Sequence, residues 1–344
     1  MKHEVLLIDH TANRLLTVPD SAAALERLGH YPVTAMDCDL ATWSLTGPSS
    51  LPIRVECAAD ELEGLLSAGC PAAIVRLEDD LEAALSRVKH LRRKDSAIWL
   101  KASGASSFGV EQLRRCAALI RAYDLAGFIY CDDGYTEPFA LEARIAQAIA
   151  ALGCSVEFSP SNRFGLATAN TLTAVRCGVR RVHTSVGGIC CDRSAAMEEV
   201  LLSLSTFYQI GGPQFRQLSG DCAGILAALG LRVPGDKAVI GTDIFAFESG
   251  IHAFGIRQNP ALYEVIDPET VGLRRRLVLG KHSGRAAVRS KLEDMNLPLP
   301  DDLIAILTEQ VVQLATRQKR SLTEQQFQTL AAALLSERGD HAAG

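Results

Sequence analysis

Short apolar runs alternate with longer amphipathic stretches over the first 210 residues. The runs Val5–Ile8, Val33–Met36, Ile53–Cys57, Ala73–Leu77, Ala97–Ala102, Phe128–Cys131, Val156–Phe158 and Val182–Ser185 are short, apolar and rich in β-branched residues, which predicts strands. Between them, apolar residues recur at helical spacing, as at Leu81, Ala84, Leu85 and Val88, or at Leu113, Ala117, Leu119 and Ile120. Strands alternating with helices imply parallel βα units, and eight such units predict a compact (β/α)8 TIM barrel. The alternative is a doubly wound open sheet, which usually has fewer strands. No GxGxxG follows the first run to support it.

The pattern changes near Gly211. Arg216–Leu229 reads as a helix ended by Gly230 and Pro234, and the stretch Val239–Gly280 is less regular. Three helical segments follow: Gly284–Met295, Pro300–Gln318 and Thr323–Ser336. The expected organisation is a barrel over 1–210 and a smaller, mostly helical C-terminal region over 211–344.

Composition narrows the function classes without choosing one. The chain has 344 residues, and 48% of them are apolar, so disorder is excluded. Lys and Arg (35) are fewer than Asp and Glu (40), giving a formal net charge of −5, too little basic character to track nucleic acid. The ten cysteines are scattered without a CxxC pair, so they read as reduced and mostly buried. The N-terminal apolar run is too short for a signal peptide, and no stretch approaches a membrane span. A soluble, cytoplasmic protein is expected.

In a TIM barrel the chemistry sits where strands end. Those positions hold Asp9, His10, Asn13 and Arg14 after the first strand, and Asp37 and Asp39 after the second. Later strand ends carry Asp132 and Asp133, then Ser159, Ser161, Asn162 and Arg163. No His-x-His or HExxH spacing occurs, and His183, near the eighth strand's end, reads as a buried, hydrogen-bonded residue rather than a metal ligand. Gly187-Gly188 could present backbone N–H groups to a phosphate, but a plain turn is the simpler reading. Cys190-Cys191 could be reactive thiols, though adjacent cysteines rarely bridge and read as small buried residues. The run Arg274–Arg276 reads as a solvated face or strand edge.

Several longer segments carry a family resemblance. FGLATANTLTAV (Phe164–Val175), Val182–Val186, Glu198–Val200, FESGIHAFG (Phe247–Gly255), YEVIDPETVG (Tyr263–Gly272) and RLVLGKHSGR (Arg276–Arg285) together resemble the homocitrate synthase and 2-isopropylmalate synthase family. The resemblance covers essentially the whole chain and is closest to the nitrogen-fixation type of homocitrate synthase. It implies a TIM barrel with a helical C-terminal region. It also implies an acyltransferase that condenses acetyl-CoA with a 2-oxo acid and hydrolyses the thioester. In that chemistry a divalent metal polarises the keto acid and an Arg steadies the developing charge.

The motifs behind that chemistry are altered. A DTTLRDGEQ-like motif reads Asp9-His10-Thr11-Ala12-Asn13-Arg14, so the metal-binding Asp is Arg14 and the motif Arg is Asn13. An HxHND motif reads Ser159-Pro160-Ser161-Asn162-Arg163, so both ligand histidines are serines. An NGxGERAGN motif begins Gly187-Gly188 with a deletion, and an EDASR-like motif has become Ser103–Ser107. A cationic Arg14 about 4 Å from a dication would cost several kcal/mol even at an effective dielectric near 20. Neutral serines are poor replacements for imidazole. The divalent metal is therefore expected to be absent, and no bound cofactor is expected. Acetyl-CoA would be a co-substrate only if activity is retained. Arg14 and Arg163 could pair with Asp9, Asp37 or Asp132, or hold an anion. Asp9, Arg14, Asp132, Arg163 and Thr184 are the candidate substrate contacts. The family's proton-transfer pair is implied at His252 and Tyr263, for which interface packing is the alternative role.

Three readings follow. The first is a non-catalytic pseudoenzyme or regulatory subunit, a homodimer or a heterodimer with an active synthase paralogue. The second is an active acyltransferase with an arginine-based site. The third is a module binding a 2-oxo acid or dicarboxylate. Nucleic-acid and membrane partners are not expected.

Overall fold

The structure is a computed structural model and describes residues 4–18, 21–45, 49, 51–91, 96–189, 194–210, 215–249, 255–256 and 258–342. It divides into two compact units, 1–233 and 234–344.

The first unit is the barrel. Its strands are β1 (Leu6–Asp9), β2 (Val33–Asp39), β3 (Ile53–Cys57), β4 (Ala72–Arg76), β5 (Ala97–Ala102), β6 (Gly127–Cys131), β7 (Val156–Ser159) and β8 (Arg181–Ser185). Each pairs in parallel with the next, and β1 pairs with β8, so the sheet closes. The two-residue β9 (Ala195–Ala196) extends the β8 side. The helices of this unit are α1 (Ala12–Leu15), α2 (Ala22–Leu28), α3 (Leu40–Trp43), α4 (Leu62–Ser67), α5 (Leu81–Val88), α6 (Val110–Ala122), α7 (Pro138–Leu152), α8 (Ala167–Arg176), α9 (Met197–Tyr208) and α10 (Leu218–Ala228). The barrel is compact because its early crossovers are short, with α1 and α3 only four residues long. The later helices carry standard start and stop signals. Glu137 caps α7 by accepting from Phe139 N and Ala140 N, Pro138 opens it, and Gly153 closes it in the left-handed region.

Strand alternation sorts the side chains. The helix-facing set is apolar and buried, with Val55, Val75, Leu100, Phe128, Phe158 and Val182 each at 0% exposure. The opposite set faces the barrel interior and is unusually polar: Asp37, Arg54, Lys101, Glu157 and His183, with Ile74, Trp99 and Ile129 among them. Gly127 makes room for the indole, since a Cβ there would lie 2.5 Å from Trp99 Cζ3 and 2.6 Å from the Ser155 carbonyl oxygen.

The second unit holds a parallel pair, β10 (Ala246–Phe247) with β11 (Arg276–Leu277), and helices α11 (Arg285–Asp294), α12 (Asp301–Gln318) and α13 (Glu324–Ala342). Its own core gathers Val288, Leu307, Val311 and Phe327. Arg276 lies on β11, and Arg275 pairs with Glu264, in keeping with a strand-edge run.

The sequence placed the end of the barrel near Gly211. Contacts place it between Val233 and Pro234, because α10 packs on α2 and Asp221 accepts from Arg27, at 2.9 Å, and from Tyr31. Among the described residues no helix is long and apolar enough to cross a membrane. Of the eight described cysteines, all free, six are buried; Cys190 and Cys191 lie outside the described residues.

Candidate functional site

The C-terminal ends of the strands surround a cavity of about 500 Å³, which reaches down to His10 and Asp37. Beneath it lies a buried ionic cluster organised by Arg54. The guanidinium donates through Nε and Nη2 to the two Asp37 oxygens, at 2.7 and 3.0 Å. Its Nη1 donates to both Glu157 oxygens, at 3.0 and 2.8 Å. Arg54 is 4% exposed, Asp37 7% and Glu157 0%. The Arg54 and Arg181 guanidinium carbons each sit 5.2 Å from the Trp99 ring centre, so the indole supports both cations.

This arrangement fixes the protonation states. Burial pushes the Asp37 pKa up, but Arg54 and the nearby His10 and His183 bring it well below the usual carboxylate range. Burial likewise works against ionised Glu157, and the His183 hydrogen bond with the Arg54 charge outweighs it. His183 is pushed below its ordinary value by burial, which the Glu157 hydrogen bond only partly opposes. His183 Nε2 lies 3.0 Å from Glu157 Oε2. Both carboxylates are therefore charged, and the imidazole is neutral with its proton on Nε2.

On the other side of that ring, His183 Nδ1 lies 2.7 Å from His10 Nε2. Asp37 Oδ2 is 3.3 Å from His10 Nε2 and 3.4 Å from His183 Nδ1. The sequence reading that His183 is buried and hydrogen-bonded holds. A histidine pair forms without any His-x-His or HExxH spacing: closure of β1 on β8, with Ile8 opposite His183, brings His10 across.

Charged side chains line much of the rim. Lys101 Nζ donates to Glu56 at 2.6 Å, and Arg76 pairs with Glu78 at 3.1 Å. Arg163 stacks over Tyr135 and donates to its hydroxyl at 2.8 Å. Asp132 is buried, accepts from Asn170 and the Gly134 N–H, and has its pKa raised by that burial.

The residues singled out from sequence divide accordingly. Asp132, Arg163, Ser159 and Ser161 line the cavity. Arg14 does not: on the four-residue α1, Ala12 and Leu15 turn inward and Arg14 is exposed. Asp37 is held by Arg54 instead. Thr184 alternates with His183 and faces the helices, and Asp9, its strand partner, caps α1 by accepting from Ala12 N at 2.8 Å. Tyr263 belongs to the second unit, where it is 46% exposed, and His252 lies outside the described residues. Gly187 and Gly188 form a left-handed turn, and the Gly187 N–H donates to Glu198, which removes it as a phosphate donor. Arg54 and Glu157 were missed. Their signal is a charge at an alternating position within a short strand, in IRVEC and VEFS.

The divalent ion implied by the family resemblance does not fit its corresponding positions. Two of these positions offer neutral serine hydroxyls, and the third is an arginine pointing to solvent. Together they supply neither an anionic nor an imidazole ligand.

Asp9 gives a pH-dependent test of the local structure. Its Oδ1 is buried without a hydrogen-bond partner, and burial raises its pKa from 3.8 to about 6. Folding therefore favours the protonated form. Stability falls as pH rises from about 4 to about 6 and stays lower above that, by about 3 kcal/mol in all. Asp9→Asn lacks this loss. In chelator-treated protein, the stability difference between wild type and Asp9→Asn should shift against wild type over that window. Parallel curves would contradict it.

Comparison with known proteins bears on both units. Residues 72–208 match the HMGL-like family model, and residues 239–319 match the model described as homocitrate synthase post-HMGL domain-like. The chain is 32% identical to homocitrate synthase 1 of Nostoc sp., over 95% of this chain and 90% of that one. It is 33% identical to 2-isopropylmalate synthase 2 of Caldanaerobacter subterraneus, over 73% of this chain and 66% of that one. A solved HMG-CoA lyase from Acinetobacter baumannii superposes with a TM-score of 0.56 at 11% identity, covering 67% of this chain and 93% of the lyase, a likeness of fold alone.

Proposed function

The chain belongs to the homocitrate synthase and 2-isopropylmalate synthase family, and we propose that it is a member which has given up the family's metal-dependent condensation and serves as a non-catalytic partner subunit. One observation carries this reading. The positions corresponding to the family's metal ligands hold solvent-directed Arg14, Ser159 and Ser161. A keto acid in the cavity would have no Lewis acid on that donor set.

Incubation of the purified chain with acetyl-CoA and a panel of 2-oxo acids should release no CoA above background. Adding it to an active synthase of the same family from its own source should give a mixed oligomer and change that enzyme's rate. Turnover by the chain alone would overturn the reading. So would self-association only, with no effect on the synthase.

A second reading is favoured by the cations at the cavity wall. Lys101, Arg76 and Arg163 line one polar space, and charge-assisted hydrogen bonds from such groups suit a small dicarboxylate. Citrate, homocitrate or 2-oxoglutarate at about 100 times its dissociation constant should stabilise the fold by about 2.7 kcal/mol. Unchanged melting with all three acids would count against it.

A further inference from the structure

We propose that His10, Asp37 and His183 form a divalent-metal site at the floor of the barrel cavity, built from residues other than those at the family's ligand positions. Its geometry suits a first-row cation of the zinc type.

The three candidate ligand atoms, His10 Nε2, His183 Nδ1 and Asp37 Oδ2, all lie within 4.8 Å of one another. Ligands about 2.0–2.1 Å from a tetrahedral zinc stand roughly 3.3 Å apart. Two of the three separations here, 3.3 and 3.4 Å, already have that value. The third, 2.7 Å between the imidazole nitrogens, is a hydrogen bond. Because the His183 Nε2–H donates a hydrogen bond to Glu157, His183 Nδ1 is an acceptor, and the proton between the rings comes from His10. Two acceptors, His183 Nδ1 and Asp37 Oδ2, thus face the one proton that His10 Nε2 carries. A cation in its place needs the imidazoles to part by about half an ångström. His10, at a strand end with 16% side-chain exposure, is the ligand placed to move.

The outer contacts are those of a prepared site. His183 is oriented by Glu157 through its far nitrogen, the carboxylate–histidine–metal relay that fixes the ligating nitrogen and raises its basicity. Asp37 is fixed in turn by the Arg54 fork. His10 and Asp37 both line the cavity, so the remaining coordination position opens toward it, where water or a carboxylate oxygen could bind. Two imidazoles with one carboxylate select zinc, cobalt or iron(II) over magnesium or calcium. The site does not depend on the chain being non-catalytic, because metal uptake is read directly, without turnover.

The test uses the full chain, stripped with chelator and titrated with cobalt(II) chloride. Metal content after gel filtration and visible absorption are the readouts. The expected result is one cobalt per chain with a d–d band, displaced by zinc. His10→Ala, or the bulkier His10→Gln, should weaken uptake at least about 100-fold while circular dichroism remains native. Glu157→Gln, a positioning change, should weaken it about 10- to 100-fold. Ser159→Ala and Ser161→Ala should leave it unchanged. The proposal is overturned if stripped wild type takes up no cobalt. It is equally overturned if folded His10 variants bind as tightly as wild type, or if uptake depends on the two serines.

Discussion

Arg54→Met is expected to destabilise the barrel by about 3–5 kcal/mol, the cost of leaving buried charge without its partner. Methionine fills much of the space of the arginine stem, so little of the loss would be cavity. The cost falls on Asp37 and Glu157, which together make four hydrogen bonds to this guanidinium. A pH series identifies the cause. In wild type both carboxylates are held below their ordinary range, so their contribution is present at neutral pH and is lost as pH falls through the folded-state values. In the variant their pKa values rise, and the gap from wild type should narrow in acid. Combining Arg54→Met with Asp37→Asn and Glu157→Gln removes the charges together and should recover part of the stability. Arg54→Lys should fall between the two, because an ammonium cannot fork to two carboxylates. Urea unfolding of the four proteins measures all of this. A loss of less than about 1 kcal/mol in Arg54→Met would mean that the cluster is hydrated rather than dry.

The same cluster shows where sequence reasoning stops. The eight strands were legible because parallel strands buried on both faces appear as apolar runs. Ile53–Cys57 and Ala97–Ala102 have the same bounds in sequence and structure. Arg54 and Glu157 sit inside such runs, IRVEC and VEFS, where a charge at an alternating position reads as one solvent-facing residue of a short strand. What makes them a site is that β2, β3, β7 and β8 meet across the barrel axis, and separations of 17 and 103 residues carry no local signal. The His10–His183 contact spans 173 residues and exists only because β1 closes on β8. The family motifs, by contrast, could be aligned by eye. They located Ser159, Ser161 and Arg163 at the cavity, but placed Arg14 there too, since an alignment does not register that the four-residue α1 turns its third residue outward.

Phe327→Ala should lower the stability of the second unit by about 3–5 kcal/mol and leave the barrel unmoved. Phe327 is 1% exposed and packs in a cluster whose buried members run from Leu277 to Leu334, all within residues 234–344. The barrel's buried residues draw on strands and helices of the first unit, with α10 included through its packing on α2. Each unit therefore has its own hydrophobic core, the condition for unfolding separately. Hydrogen exchange should show amides of α11, α12 and α13 losing protection in the variant, while those of β5 to β8 keep theirs. Equal loss in both sets would mean that the two cores unfold as one. The choice bears on function as well, because Tyr263 resides in the second unit and the ionic cluster in the first. If the units separate, a truncation at Val233 would retain the Arg54 cluster and metal uptake at His10, Asp37 and His183. Any effect on a partner synthase that depends on Tyr263 would be lost.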